Sequence, residues 1–110
     1  MISAILRIHC RQDRISDVNR LLRSLIEPTR VEAGCISCRL YHEEGRPNVI
    51  TWVEEWETEE DLRRHLRSEV YRKILAALDM SEEEPEISFN TVAETKGMQL
   101  IEEALGASRT

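Results

Sequence analysis

Val49-Ile50-Thr51-Trp52-Val53-Glu54-Glu55-Trp56 is the stretch that decides the fold. Successive side chains of a strand point to opposite faces. Ile50, Trp52 and Trp56 therefore share one side, with Val49 and Val53 on the other. A strand apolar on both sides needs cover on both sides. Upstream, Glu44-Gly45-Arg46-Pro47-Asn48 is turn chemistry. Before it, Ile36, Cys38, Leu40 and His42 alternate with Ser37, Arg39 and Tyr41, so the two runs read as a hairpin. Downstream, Thr58-Glu59-Glu60-Asp61 has the form of a capping box with Asp in place of Glu. It opens a helix whose inner face holds Leu62, His65 and Leu66, and Ser68 is placed to cap a continuation carrying Val70, Tyr71, Ile74, Leu75 and Leu78.

Towards the N-terminus, Ile2, Ala4, Leu6 and Ile8 alternate with Ser3, Ile5, Arg7 and His9, another strand. Asp13 or Ser16 is expected to cap the next helix, whose stripe is Ile15, Val18, Leu21, Leu22, Leu25 and Ile26. Pro28 should kink or restart that helix, and Gly34 is placed to end its final turn. Towards the C-terminus, Ser81 to Glu84 is an acidic linker, and Ile87, Phe89, Thr91 and Ala93 form a fourth strand. Met98 to Leu105 makes a short amphipathic helix, with fraying expected from Gly106. The order is β-α-β-β-α-β, an α+β ferredoxin-like plan. Two right-handed crossovers put both helices on one face of a four-stranded antiparallel sheet. The other face keeps Ile5, Val49 and Val53, and large exposed apolar patches are unusual on monomers. Sheet-to-sheet packing in a homodimer is the expected remedy.

The 110 residues leave room for a single domain over 1–110, with a core of about 2–94 and a helical tail at 97–110. Hydrophobic residues make up 41% and charged residues 33%, an ordinary globular balance. The net charge of −6 and a pI near 5.1, with scattered basic residues, argue against nucleic acid as a partner. No run approaches the ~20 apolar residues of a bilayer span, and Met1-Ile2-Ser3-Ala4 enters a strand without a leader pattern. A cytoplasmic protein is the expectation. Cys10, Cys35 and Cys38 suit a reducing compartment. In a regular strand Cys35 and Cys38, three apart, point to opposite faces, and no second Cys/His pair at zinc spacing accompanies them. They are read as structural.

Through Glu32-Ala33-Gly34-Cys35-Ile36-Ser37-Cys38, Glu54-Glu55-Trp56-Glu57-Thr58-Glu59-Glu60 and His65-Leu66-Arg67-Ser68, the chain resembles the antibiotic-biosynthesis-monooxygenase-like (ABM) family. The pattern is an E-x-G-C segment before the second strand, an E-x-W strand end leading into an acidic helix start, and H-L-x-S within the second helix. The resemblance covers about residues 2 to 94. It implies a dimeric α/β barrel, a scaffold shared by cofactor-free quinol and polyketide-phenol oxidation, haem degradation, isomerisation and proteins without known catalysis. With no glycine-rich nucleotide motif, no haem ligand at the family position and no metal cluster in the sequence, no cofactor is expected. In the cofactor-free oxygenases a phenol or hydroquinone is deprotonated, and its electron-rich anion reduces dioxygen itself.

For such chemistry the protein supplies an apolar pocket, a proton acceptor and polar groups to hold an anion. His65, on an inward helix face, is the candidate catalytic proton acceptor, its alternative being a core histidine bonded to backbone. Trp56 and Trp52 are candidates for the aromatic wall of a substrate site or for core packing. Tyr71 could orient a substrate oxygen. His42, like His9, lies on a strand and could face the pocket or the barrel interior. Two departures accompany the resemblance. The polyketide-oxidising branch has a polar residue four before the third-strand Trp and a Tyr six after it, where this chain has Trp52 and Leu62. The haem-degrading branch carries an axial histidine near Leu75, and no histidine follows His65. The expected activity is cofactor-independent monooxygenation of a small aromatic quinol or phenol. A non-catalytic small-molecule-binding dimer and an isomerase are the alternatives.

Overall fold

The computed structural model describes residues 1–106. The strand signals become β1 (Ile2–His9), β2 (Cys35–Glu43), β3 (Arg46–Trp56) and β4 (Glu86–Thr91), and the helical ones α1 (Ile15–Arg30), α2 (Glu59–Leu66), α3 (Glu69–Leu78) and α4 (Met98–Leu105). The strands form one antiparallel sheet in the order β2-β3-β1-β4, the ferredoxin-like arrangement. Register pairs Ile2 with Trp56, Leu6 with Trp52 and Ile8 with Ile50. One face is therefore a continuous apolar floor. Val18, Leu22 and Leu25 of α1 and Tyr71, Ile74, Ala77 and Leu78 of α3 bury against this side. Thr58 caps α2 through the Asp61 N–H, and Ser68 caps α3 through the Tyr71 N–H, as their spacing predicts.

Four local expectations need correction. Neither Asp13 nor Ser16 caps α1: Arg14 holds the N-cap position without a side-chain bond. Pro28 does not restart that helix either. It lies two residues before the end, so it interrupts little of the backbone ladder, and buried Leu25 and Thr29 hold the last turn in place. The hairpin turn is shorter than the sequence suggests, because Glu43 pairs with Arg46 and leaves a two-residue loop closed by Gly45 at φ +77°. The fourth strand ends at Thr91, before Ala93.

A fifth correction concerns the cysteines. Cys35 pairs with Trp56 and Ser37 with Glu55, so Ile36 is the extra residue of a β-bulge. The bulge shifts the alternation by one. Cys35 and Cys38 thus face the same, helix-covered side, and Ile36 turns outward, 49% exposed.

The helix-free face is more polar than β3 alone implies. Arg7 reaches across β3 to Glu43 at 2.7 Å and also pairs with Glu86 of β4, which bonds His9 at 3.0 Å. Ser37 donates to Glu55 on the same face. Ile5, Val49, Val53 and half-exposed Tyr41 supply its apolar part.

Candidate functional site

The period-2 reading of β3 places Glu54 between Trp52 and Trp56 on the buried face, where a carboxylate needs donors. The fold supplies three. Trp52 Nε1–H donates to Glu54 Oε2 at 2.6 Å, Trp56 Nε1–H to Oε1 at 2.9 Å, and His65 Nε2 meets Oε2 at 2.9 Å. Indole N–H is a donor only, so both tryptophans are fixed in rotamer by the one carboxylate. His65 reaches this point because Thr58 starts α2 in a register that turns Leu62 and His65 toward the sheet.

The second nitrogen of His65 is also engaged. Nδ1 lies 2.8 Å from Oε2 of Glu32, in the turn between α1 and β2. An imidazole between two carboxylates donates from both nitrogens, as an imidazolium does. Burial pulls the His65 pKa down, but the hydrogen bonds and charges of Glu54 and Glu32 outweigh it and leave the pKa raised. The ring packs on Trp56 with centroids 4.7 Å apart and meets the Tyr71 ring edge-on at 5.2 Å. Burial and the Glu54 charge push the Tyr71 phenol up to about 12, so it stays protonated. The same two influences, with Glu32, push the Cys35 thiol up to about 11, and burial with Glu54 raises Cys38 further. Neither thiol supplies a nucleophile at neutral pH.

Beside this cluster a groove of about 270 Å³ opens between α2 and the β4 edge, lined by Ile2, Leu62, Leu66, Phe89, Glu59 and Arg63, with Thr91 at its rim. Ile2 and Leu62 pack in one cluster with Trp56, whose other side carries His65. The buried triad and the groove are thus separated by a layer of side chains. His65, Trp52, Trp56 and Tyr71 come together. His42 does not join them: it lies exposed on β2, facing a different groove. His9 sits on the helix-free face with Glu86. Among the described residues no group of three or more His, Cys, Asp or Glu side chains is arranged to hold a metal.

Glu54 and Glu32 escaped sequence reasoning. The available signal was a single acid within an apolar strand face, flanked two residues away on each side by an indole.

The profile of the antibiotic biosynthesis monooxygenase family matches residues 1–77. The chain belongs to that family. A solved structure of a conserved protein from Methanosarcina mazei is 31% identical, with a TM-score of 0.75 over 81% of this chain and 89% of that one. A crystal structure described as an antibiotic biosynthesis monooxygenase, 22% identical, superposes with a TM-score of 0.77 over 86% of this chain and 100% of that one, a likeness of fold. An uncharacterised protein of Synechocystis sp. is 28% identical over 90 residues, 81% of this chain. The match spans 61% of that relative's length. In this ABM-family chain, Glu54, Trp56 and His65 all fall within the matched segment, whereas β4 and α4 lie beyond it. No described helix is long and apolar enough to cross a membrane.

Proposed function

We propose that the protein is a cofactor-independent monooxygenase acting on a small aromatic quinol or phenol, working as a homodimer, with the α2/β4 groove as its substrate site. The observation that carries this reading is the Glu32–His65–Glu54 triad stacked behind Trp56, next to an apolar groove. With both His65 nitrogens already donating, the ring has no free lone pair, so a carboxylate is the proton acceptor of the triad. His65 serves as its centre, linking buried Glu54 to Glu32, whose side chain is 23% exposed and provides the solvent end. Deprotonation makes the bound phenol electron-rich enough to reduce dioxygen. Phenol plus O₂ then gives p-quinone plus water, one oxygen atom entering the ring and the other leaving as water.

A second reading has its own support. His65 is fully buried, and Trp52 and Trp56 fill the space around it. That packing suits a dimer that binds an aromatic molecule without oxidising it. An oxygen electrode with a panel of hydroquinones and hydroxynaphthoquinones, corrected for autoxidation, separates the two. Oxidation above background is expected of the enzyme, and His65→Gln, which removes the imidazolium that joins the two carboxylates, should lower it. No oxidation with retained binding supports the second reading.

A further inference from the structure

We infer that the groove between α1 and the open edge of β2 binds a small organic anion, a carboxylate or phosphate carried on an apolar body. The groove holds about 470 Å³ and is lined by Arg23, Arg30, Arg39, Ile26, Leu40 and Tyr41, with Asn19 and His42 at its ends. β2 is an edge strand, so the groove runs along unpaired backbone and takes side chains from both of its faces.

Most arginines elsewhere are paired, Arg67 excepted. Arg7, Arg11, Arg14, Arg46, Arg63, Arg64 and Arg72 all have carboxylate partners. Arg23 and Arg39 have neither an ion pair nor a hydrogen bond among the described residues, and neither does Arg20, one turn before Arg23 in an adjoining groove. In a chain with 21 acidic residues and a net charge of −6, carboxylates are plentiful, yet these guanidinium groups are left without them. Arg30 is held in place: its Nε–H donates to the Cys38 carbonyl at 3.2 Å, and Glu27 holds its outer end at 2.7 Å. Guanidinium forks match carboxylate and phosphate oxygens in pairs. Asn19 adds an independent sign. Its Oδ1 is buried without a hydrogen-bond partner, and such an acceptor is costly to leave empty. A ligand hydroxyl, or a protonated phosphate oxygen, would supply the donor.

Two properties favour a small ligand over a polyanion. The apolar wall of Ile26 and Leu40 asks for a hydrophobic body, and the overall negative charge repels a long anionic chain. The site lies at the opposite sheet edge from the α2/β4 groove, so it is independent of the proposed oxidation.

The test is titration of the full-length protein with phenyl phosphate, benzoate, inorganic phosphate and the neutral control benzyl alcohol, followed by calorimetry and by amide shifts in two-dimensional NMR. Phenyl phosphate should bind most tightly, shift amides of residues 39–42 and weaken as salt rises. Arg23→Gln and Arg39→Gln should each lower affinity about tenfold, the loss expected for a hydrogen bond to a charged group. Arg23 is exposed on α1 and Arg39 lies beside Val53 on the helix-free face, so unchanged urea midpoints and an unchanged light-scattering mass should show that the variants stay folded and assembled. Arg72→Gln, on the exposed face of α3, should bind as the parent does. Absence of binding, shifts that map elsewhere, or an equal loss in Arg72→Gln would overturn the assignment. So would tighter binding of a single-stranded oligonucleotide than of phenyl phosphate at the same salt.

Discussion

Replacing Glu54 with glutamine changes one oxygen to an NH₂ group, and the structure gives the consequence atom by atom. Glu54 Oε2 takes bonds from Trp52 and His65, and Oε1 takes one from Trp56. If the amide oxygen occupies the Oε2 position, its NH₂ confronts the Trp56 N–H; if it is flipped, the NH₂ confronts the Trp52 N–H. Either way one buried indole donor is left unpaired, at about 1–3 kcal/mol. The bond to His65 also loses its charge, about 1 kcal/mol more. The expected total is about 2–4 kcal/mol, a large share of the roughly 5–15 kcal/mol that holds a domain together. With a urea dependence of about 1–3 kcal/mol per molar, the unfolding midpoint should fall by about 1–2 M.

A pH series sharpens the same experiment. His65 has its folded pKa raised above the unfolded value of about 6.5. Its stabilisation is fully present below that unfolded value and is lost as pH rises through the folded pKa. The parent should therefore lose urea resistance from pH 6 toward alkaline pH, and Glu54→Gln, which removes the principal cause of the shift, should flatten that slope. A Glu54→Gln protein within 0.5 kcal/mol of the parent, with the same slope, would refute the reasoning.

Three further outcomes are expected. Gly34→Ala should cost about 2–4 kcal/mol in urea unfolding, because Gly34 has φ +83° and an added Cβ would lie 2.2 Å from the Asp61 carboxyl carbon; a near-neutral result would show that Asp61 and its cap move aside freely. Cys35, with its pKa moved from 9.0 to about 11, should hold about a hundredth of the usual thiolate and react with a disulfide reagent at pH 8 about 100-fold more slowly than in urea; native labelling at the unfolded rate contradicts this. Light scattering at micromolar concentration should give twice 12.8 kDa, and Val53→Lys on the helix-free face should lower it; a monomeric mass for the parent removes the dimer.

Alternation alone located the strands and set Ile2, Leu6, Trp52 and Trp56 on a common face, because which side a strand residue takes depends only on its own parity. Capping at Thr58 and Ser68 was legible for a similar reason: a hydroxyl three residues before the N–H it accepts is a local relation. The inward direction of His65 followed from helical spacing with Leu62. Its partners did not, since Glu32 lies 33 residues away and Glu54 lies 11 away. Only closure of the turn after α1 onto the end of β3 brings two acids to one imidazole, and that encounter decides the protonation of His65. Cys35 shows the converse limit. Its side departs from simple alternation because one extra residue at Ile36 reverses parity, and a bulge is set by the partner strand's register. Period and capping are properties of neighbours in sequence and were therefore readable. Charge pairing, bulges and the arginine groove belong to segments far apart in the chain, and only packing brings them together.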